Sequence, residues 1–236
     1  MIDNKLKFFF KNQIWHIGGL IILYYVALQM VDFENNSNVL LGISAKNWFL
    51  FSMATPLIHQ GYEFLFSMAT PLIHQGYVWL CWRSELCWKT ISRTIGFKAY
   101  VLICFIIAIL RLFSVGLCFA DYGSWFTPGC IAWSISVLIF IPFIYTIYSI
   151  KKYFGFMRAT GIDHFDPSYK DIPFEKRGIF KLSSNAMYTF AIGVFFGFAV
   201  SAGSKAMFVF AVYTYIGTWL HYFCTEKEDF KVIYGK

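Results

Sequence analysis

The stretch IWHIGGLIILYYVALQM, residues 14–30, decides which solvent this chain is built for. It contains no Asp, Glu, Lys or Arg, and it approaches the roughly 20 apolar residues a helix needs to cross a hydrocarbon core about 30 Å thick. No small-residue cleavage site follows it and further apolar stretches lie beyond, so it reads as a retained membrane helix rather than a signal peptide. Working outward, similar stretches lie near 100–120, 128–150, 187–200 and 206–223, with an unusually long one at 48–82. Composition agrees. Hydrophobic residues make up 58% of the chain, aromatics 22% and charged residues 14%, with a mean hydropathy of +0.56, whereas soluble domains carry about 25% charge. The expected fold class is all-α: a polytopic integral membrane protein with about six transmembrane helices. The last two should form a helical hairpin across a short turn containing Ser201, Gly203 and Ser204.

Charge predicts the orientation. Lys5, Lys7 and Lys11 precede the first span; Arg83, Lys89, Arg93 and Lys98 follow the long stretch; Lys151, Lys152, Arg158, Lys170, Lys176, Arg177 and Lys181 occupy the one long loop, residues 151–183. These are alternate loops, and the intervening ones are poor in Lys and Arg. The positive-inside rule then places both termini and the basic loops on the cytoplasmic face. The formal charge of +7 follows from this topology and from attraction to anionic headgroups, and no nucleic-acid partner is expected.

The long stretch holds an internal repeat. FLFSMATPLIHQGY occupies residues 49–62 and recurs letter for letter at 64–77. As a helix, 48–82 would run about 52 Å, while removing one copy leaves about one bilayer's width. It reads as a recent in-frame duplication, giving either an overlong helix or two half-helices broken near Pro56 and Pro71. His74 and its duplicate His59 compete for the same place.

Other polar residues divide less sharply. The six cysteines show no CxxC spacing and act as small hydrophobes. Cys118 and Cys130 flank one outer loop and would pair only if that face is oxidising. Arg111 lies in an apolar span, where it either snorkels to the headgroups or marks a functional site. In the long loop, RATGIDHFDPSYKDIPFEKRGIF (residues 158–180), Asp163, His164 and Asp166 read as turn formers before metal ligands, and no metal is expected. Phe156, Phe165, Tyr169, Phe174 and Phe180 suggest a loop lying in the interface and roofing a cavity.

Two segments carry a family resemblance. GIFKLSSNAMY (residues 178–188) leads into an apolar span, and the last span runs into HYFCTEKEDFKVIYG (residues 221–235). The pair resembles the membrane-embedded methyltransferases that include phosphatidylethanolamine N-methyltransferases and isoprenylcysteine carboxyl methyltransferases. In that superfamily a Gly-Pro-Tyr opening is followed by Arg-His-Pro-x-Tyr or Asn-Pro-Met-Tyr, then a helical hairpin and a Glu-Glu-x-x-Leu-x-x-x-Phe-Gly segment. Gly178 and Phe180 fall on the opening, Asn185, Met187 and Tyr188 on the Asn-Pro-Met-Tyr core, Glu226 on the first Glu, Phe230 on the Leu, and Tyr234 with Gly235 on the close. Ser184, Ala186, Phe190 and Lys227 depart from the pattern, with Glu228 one place beyond the second Glu. The resemblance covers residues 150–236, so the chain divides into an N-terminal transmembrane region (1–150) and a cofactor-binding region (151–236).

The resemblance implies S-adenosyl-L-methionine as cofactor, held by Gly178, Phe180, Asn185, Met187, Tyr188, His221, Glu226 and Glu228. It implies a membrane-resident amphiphile as acceptor, first a phospholipid-type amine and second a lipidic carboxylate or thiol. An NADPH-dependent membrane reductase and a non-catalytic transporter or scaffold are the alternatives. The residue types suit methyl transfer: carboxylates meet ammonium and hydroxyl groups, aromatic faces accompany a sulfonium cation, and in-line displacement needs positioning and exclusion of water rather than a nucleophile. No catalytic residue is assigned. Neither the acceptor's identity nor the oligomeric state follows from the sequence.

Overall fold

The computed structural model describes residues 2–31, 39–48 and 70–235, and it is mostly helical. The first copy of the repeat, with His59 and Pro56, lies outside the described residues. In chain order the main helices are α1 (Ile2–Phe10), α2 (Gln13–Met30), α3 (Thr70–Trp88), α4 (Gly96–Arg111), α5 (Cys130–Ser149), α6 (Val194–Ala202), α7 (Lys205–His221) and α8 (Lys227–Tyr234). The all-α expectation needs one small amendment, a two-residue antiparallel ladder pairing Val39 with Ser44 and Leu40 with Ile43.

The helices are built for lipid. Along α2 the buried residues are Gln13, His16, Leu20, Tyr24 and Ala27, spaced three or four apart on one helical face. Ile14, Trp15, Ile22 and Tyr25 point outward. The same inversion holds on α5, where Ala132, Ser136, Thr146 and Ser149 are buried while Ile131, Val137, Leu138 and Ile144 are exposed. Helices in hydrocarbon gain nothing by hiding leucine from lipid, so they approach through small residues and satisfy polar ones inside. Gly197 shows how closely: a Cβ there would sit 2.7 Å from the Phe140 ring. Helix α7 is the centre, packed against α2, α3 and α6, with α5 covering α6 and α4 lying on α3.

Among the described residues three helices are long and apolar enough to cross a membrane: Asp3–Met30, Gly96–Ala120 and Cys130–Phe154. Of the about six passages expected, these three are matched in length and composition. Met187–Ala202 is apolar but shorter, α7 has 17 residues, and α3 carries Arg83 and Glu85. The expected hairpin is present: Gly203, at φ +57°, turns α6 into α7, and Ser204 caps α7 by accepting from Met207 N at 3.0 Å. There is no disulfide between Cys118 and Cys130, both of which are free thiols.

The two ends of the bundle differ. At one, Asp121 Oδ2 accepts from Ser204 Oγ and Ala206 N, both at 2.8 Å, and from Ser124 Oγ at 2.7 Å, tying the loop after Ala120 to the hairpin turn. At the other end gather the N-terminal helix, the end of α3, the long loop and the C-terminal tail. Lys5 Nζ donates to Cys87 O at 2.6 Å, and Lys11 pairs with Glu228 at 2.7 Å. The basic segments that charge alternation assigns to one face thus meet at one end.

Candidate cofactor and acceptor site

The site starts from an interruption in helical geometry. After Ala186 the chain makes a π turn, Met187–Ala191, and after His221 it makes another, Tyr222–Glu226. Such turns add one residue to an α-helix and recur at functional sites. The short link between α6 and α7 brings both turns to the same end of the hairpin. There the Tyr188 hydroxyl donates to Glu226 Oε2, a contact between residues 38 apart in sequence. Tyr188 is fixed from behind by Trp219 and Tyr222, with ring centroids 6.3 and 5.9 Å away. Burial pushes the Glu226 carboxyl up to about 7, against the opposing pull of the Tyr188 hydrogen bond and the His164 charge.

A cavity of about 480 Å³ opens on this pair, lined by Asn185, Met187, Tyr188, Tyr222, Glu226 and Phe230, with Lys227, Lys231, Phe174 and Tyr234 at its margin. Met187 and Tyr188 separate it from a second cavity of about 340 Å³, which is more apolar and runs between α3, α4 and the start of α6. Val78, Cys104, Phe105 and Ile192 line the second cavity, along with His74, Gln75, Arg111 and His221. Both volumes lie in the range of small-molecule sites.

Behind Glu226 lies a buried ionic cluster. Arg83 Nε donates to Asp229 Oδ1, and neither side chain is exposed to solvent. The same guanidinium donates to Phe8 O, and to Cys224 O and Thr225 O at 3.4 and 3.3 Å, so it clasps the second π turn from below. His164 Nε2 makes an ion contact with Asp229 Oδ2 at 3.4 Å, and its Nδ1 donates to Asp163 Oδ1 at 3.1 Å. Burial disfavours the imidazolium, but the two carboxylates outweigh it and hold His164 up at about 9. Tyr234 Oη donates to Asp163 at 2.7 Å, and Arg158 donates to Pro173 O at 2.9 Å and Ile172 O at 3.1 Å. The long loop is thereby fastened over the site as a roof. Gly161, at φ +81°, lets the loop come down on Trp82, where a Cβ would sit 2.5 Å from the indole, and the His164 ring stacks on that indole at 3.9 Å.

The sequence-derived candidates separate. Asn185, Met187, Tyr188 and Glu226 share the larger cavity; His221 opens on the smaller one, joined there by Tyr188 and Met187. Three candidates line neither. Gly178, at φ +59°, packs where a Cβ would meet Ser149 Oγ at 2.5 Å. Phe180 is buried against Phe154, with centroids 5.0 Å apart. Glu228 is paired with Lys11 and with Lys231, the latter at 2.6 Å. Asp166 is a turn former, accepting from Ser168 N at 2.9 Å, but Asp163 and His164 are buried network members. Among the described residues no group of three His, Cys, Asp or Glu is placed to hold a metal. Sequence reasoning missed Arg83, Asp229, Gln13, His16 and Gln75. Arg83, expected in a basic loop, is instead inside α3, because the helix runs to Trp88. The signal for it was an arginine and a glutamate two residues apart amid tryptophans, a poor composition for a solvated loop.

Residues 131–236 match the phospholipid methyltransferase family. Over that span the chain is similar to those membrane enzymes, as the two motifs imply, and the span contains both π turns, Tyr188, Glu226 and the roof. No curated protein and no solved structure matches the chain. The phospholipid methyltransferase match supports an enzyme that transfers methyl groups to a phospholipid-like substrate in a membrane. Arg83, Trp82, Gln75 and Arg111, which back or line the two cavities, lie outside the matched span.

Proposed function

We propose that this protein transfers a methyl group from S-adenosyl-L-methionine to a membrane-resident amphiphile, most simply a phospholipid-type amine. The observation that carries the reading is the Tyr188–Glu226 pair set between a polar cavity and an apolar one. In the polar cavity, Glu226 and Asn185 offer oxygen acceptors to ammonium and ribose hydroxyl groups, while the Tyr188, Tyr222 and Phe230 rings offer faces to a cation. The residues present fit such a cofactor. When bound, it supplies an electrophilic methyl on a sulfonium. The chain's own contribution is to hold donor and acceptor in cavities that adjoin at Met187 and Tyr188, so that amine and methyl can meet in line there, and to exclude water with the roof. Lipid would approach through the apolar cavity, which has hydrocarbon-facing helices on its flanks.

Titration of the purified protein in detergent with S-adenosylhomocysteine tests this directly. Wild-type protein should bind saturably, and Glu226→Gln should weaken binding by roughly 1.5 to 3 kcal/mol, the range for a hydrogen bond to a charged group. Equal binding by the variant, or none by wild type, would remove the assignment. The reading also places the site end in the cytoplasm, where the cofactor is made. Single cysteines at Lys11 or Lys170 in a cysteine-free background should then resist an impermeant thiol reagent added to intact cells, and labelling of either would reverse the orientation.

A further inference from the structure

The apolar cavity contains polar groups that the methyl-transfer reading does not use. Arg111 Nε and Nη2 are shielded from solvent and donate to no acceptor among the described residues. Gln75 Nε2 and His221 Nδ1 are likewise buried without partners, although each residue is held at its other polar atom or ring, Gln75 Oε1 by His16 Nε2 at 3.1 Å and the His221 ring by His16 at 5.1 Å. All three line this one cavity, and among the described residues no carboxylate does. Arg111 lies close enough for its charge to act on both His74 and His221, so the donors converge rather than lie scattered. The hydroxyl of Tyr213, also without a partner, is near the same guanidinium. A snorkelling arginine would reach headgroups or water. This one ends in a cavity with excess donors and no carboxylate among its described lining residues, an arrangement that is costly in a low-dielectric interior unless an anionic group pairs with it.

We propose that Arg111, assisted by Gln75 and His221, is the receptor for the phosphodiester of a glycerophospholipid acceptor. The arginine's planar fork suits a phosphate's oxygens. Anchoring the phosphodiester there fixes where the amine, two carbons further on, lies in the cavity that Tyr188 bounds. Arg111 is thus a specificity and positioning residue for the acceptor. The inference rests on the proposed methyl transfer for its meaning but not for its test.

The test is a titration of the full chain in detergent, read by tryptophan fluorescence, with dioctanoyl phosphatidylethanolamine, dioctanoylglycerol and inorganic phosphate. Wild type should prefer the phospholipid to the diacylglycerol by tenfold or more. Arg111→Gln should lose that preference and Arg111→Lys should keep most of it, while S-adenosylhomocysteine affinity changes less than twofold in both. The thermal midpoint of lipid-free Arg111→Gln should not fall, because Arg111 Nε and Nη2 donate to no acceptor among the described residues. A retained preference in Arg111→Gln, no preference in wild type, a lowered lipid-free midpoint, or inorganic phosphate competing as well as the phospholipid would each overturn the proposal. An Arg111-dependent preference in a protein that binds no S-adenosylhomocysteine would uphold the receptor and discard the methyl-transfer reading.

Discussion

The two cavities share a wall of two residues and differ in almost everything else. The polar one is built almost wholly from the family-matched C-terminal region, and its central carboxylate already has a hydrogen-bond partner. The apolar one draws half its lining from α3 and α4, outside the matched region, and its Arg111 Nε and Nη2 have none among the described residues. On the proposed reading the donor site lies within the matched segment, whereas the acceptor site also draws on α3 and α4 outside it. The Arg83–Asp229 cluster is where the two parts are bolted together.

Breaking that bolt should have the largest effect. Arg83→Met leaves Asp229 buried with only its His164 contact, and losing one member of a buried pair costs roughly 3 to 5 kcal/mol. Denaturation in detergent should show the loss, with binding at both cavities falling together. The double variant Arg83→Met, Asp229→Met should recover part of the stability, since it leaves no orphaned charge. If Arg83→Met spoils only the polar cavity, the two sites are less coupled than their shared wall implies.

A smaller effect sharpens the contrast between the cavities. Glu226 titrates at about 7, raised by burial, and an ammonium-bearing ligand prefers its ionised form. Affinity for S-adenosylhomocysteine should therefore fall as the pH drops below 7, by up to about tenfold per unit, and level off above. Of the groups that act on Glu226, Tyr188, pushed up by burial, and Asp163, held down by His164 against the effect of burial, do not change charge between pH 6 and 8, and His164, held at about 9, remains mostly charged. Dioctanoylglycerol binding should stay flat over the same window. A flat S-adenosylhomocysteine curve would mean that the ammonium does not meet Glu226.

The smallest change expected is Glu228→Gln. It removes pairs with two half-exposed lysines, worth no more than about 1 kcal/mol of stability. It should leave both cavities unaffected, and a large loss of cofactor binding would show that the tail rearranges when ligand arrives.

How much of this was legible in the sequence depended on what each signal measures. Hydropathy found the lipid-facing helices because their outward faces are continuous; three of them are long and apolar enough among the described residues to cross a membrane, while a 17-residue α7 held inside a bundle needs only to fill its neighbours. Motif spacing found Tyr188 and Glu226 because the tight Gly203 turn returns the chain to the same level. It could not separate Gly178 and Phe180, which seat the segment against α5, from residues that face the cavity. Counting basic residues treated Arg83 and Lys89 alike, although one is inside α3 and the other ends it in a left-handed conformation at φ 58°. The partners of Arg83 are 146 residues away at Asp229 and 75 away at Phe8, and no local pattern announces them. The repeat obscured which histidine matters until α3 was seen to begin at Thr70, within the second copy, which gives the cavity position to His74.

The π turns have a further consequence for how relatives of this chain should be compared. Ile150–Phe154, Met187–Ala191 and Tyr222–Glu226 each wind one residue more into a turn than an α-helix does. A relative that lacks the extra residue can keep its side chains in the same places while its motif spacing shrinks by one. Alignments across these helices should therefore open single-residue gaps at the three turns instead of penalising them, and acidic residues of the tail should be matched by the side they face. Within this chain's own tail the buried carboxylate after Glu226 is Asp229, whereas its more conspicuous neighbour Glu228 is paired with Lys11 and Lys231.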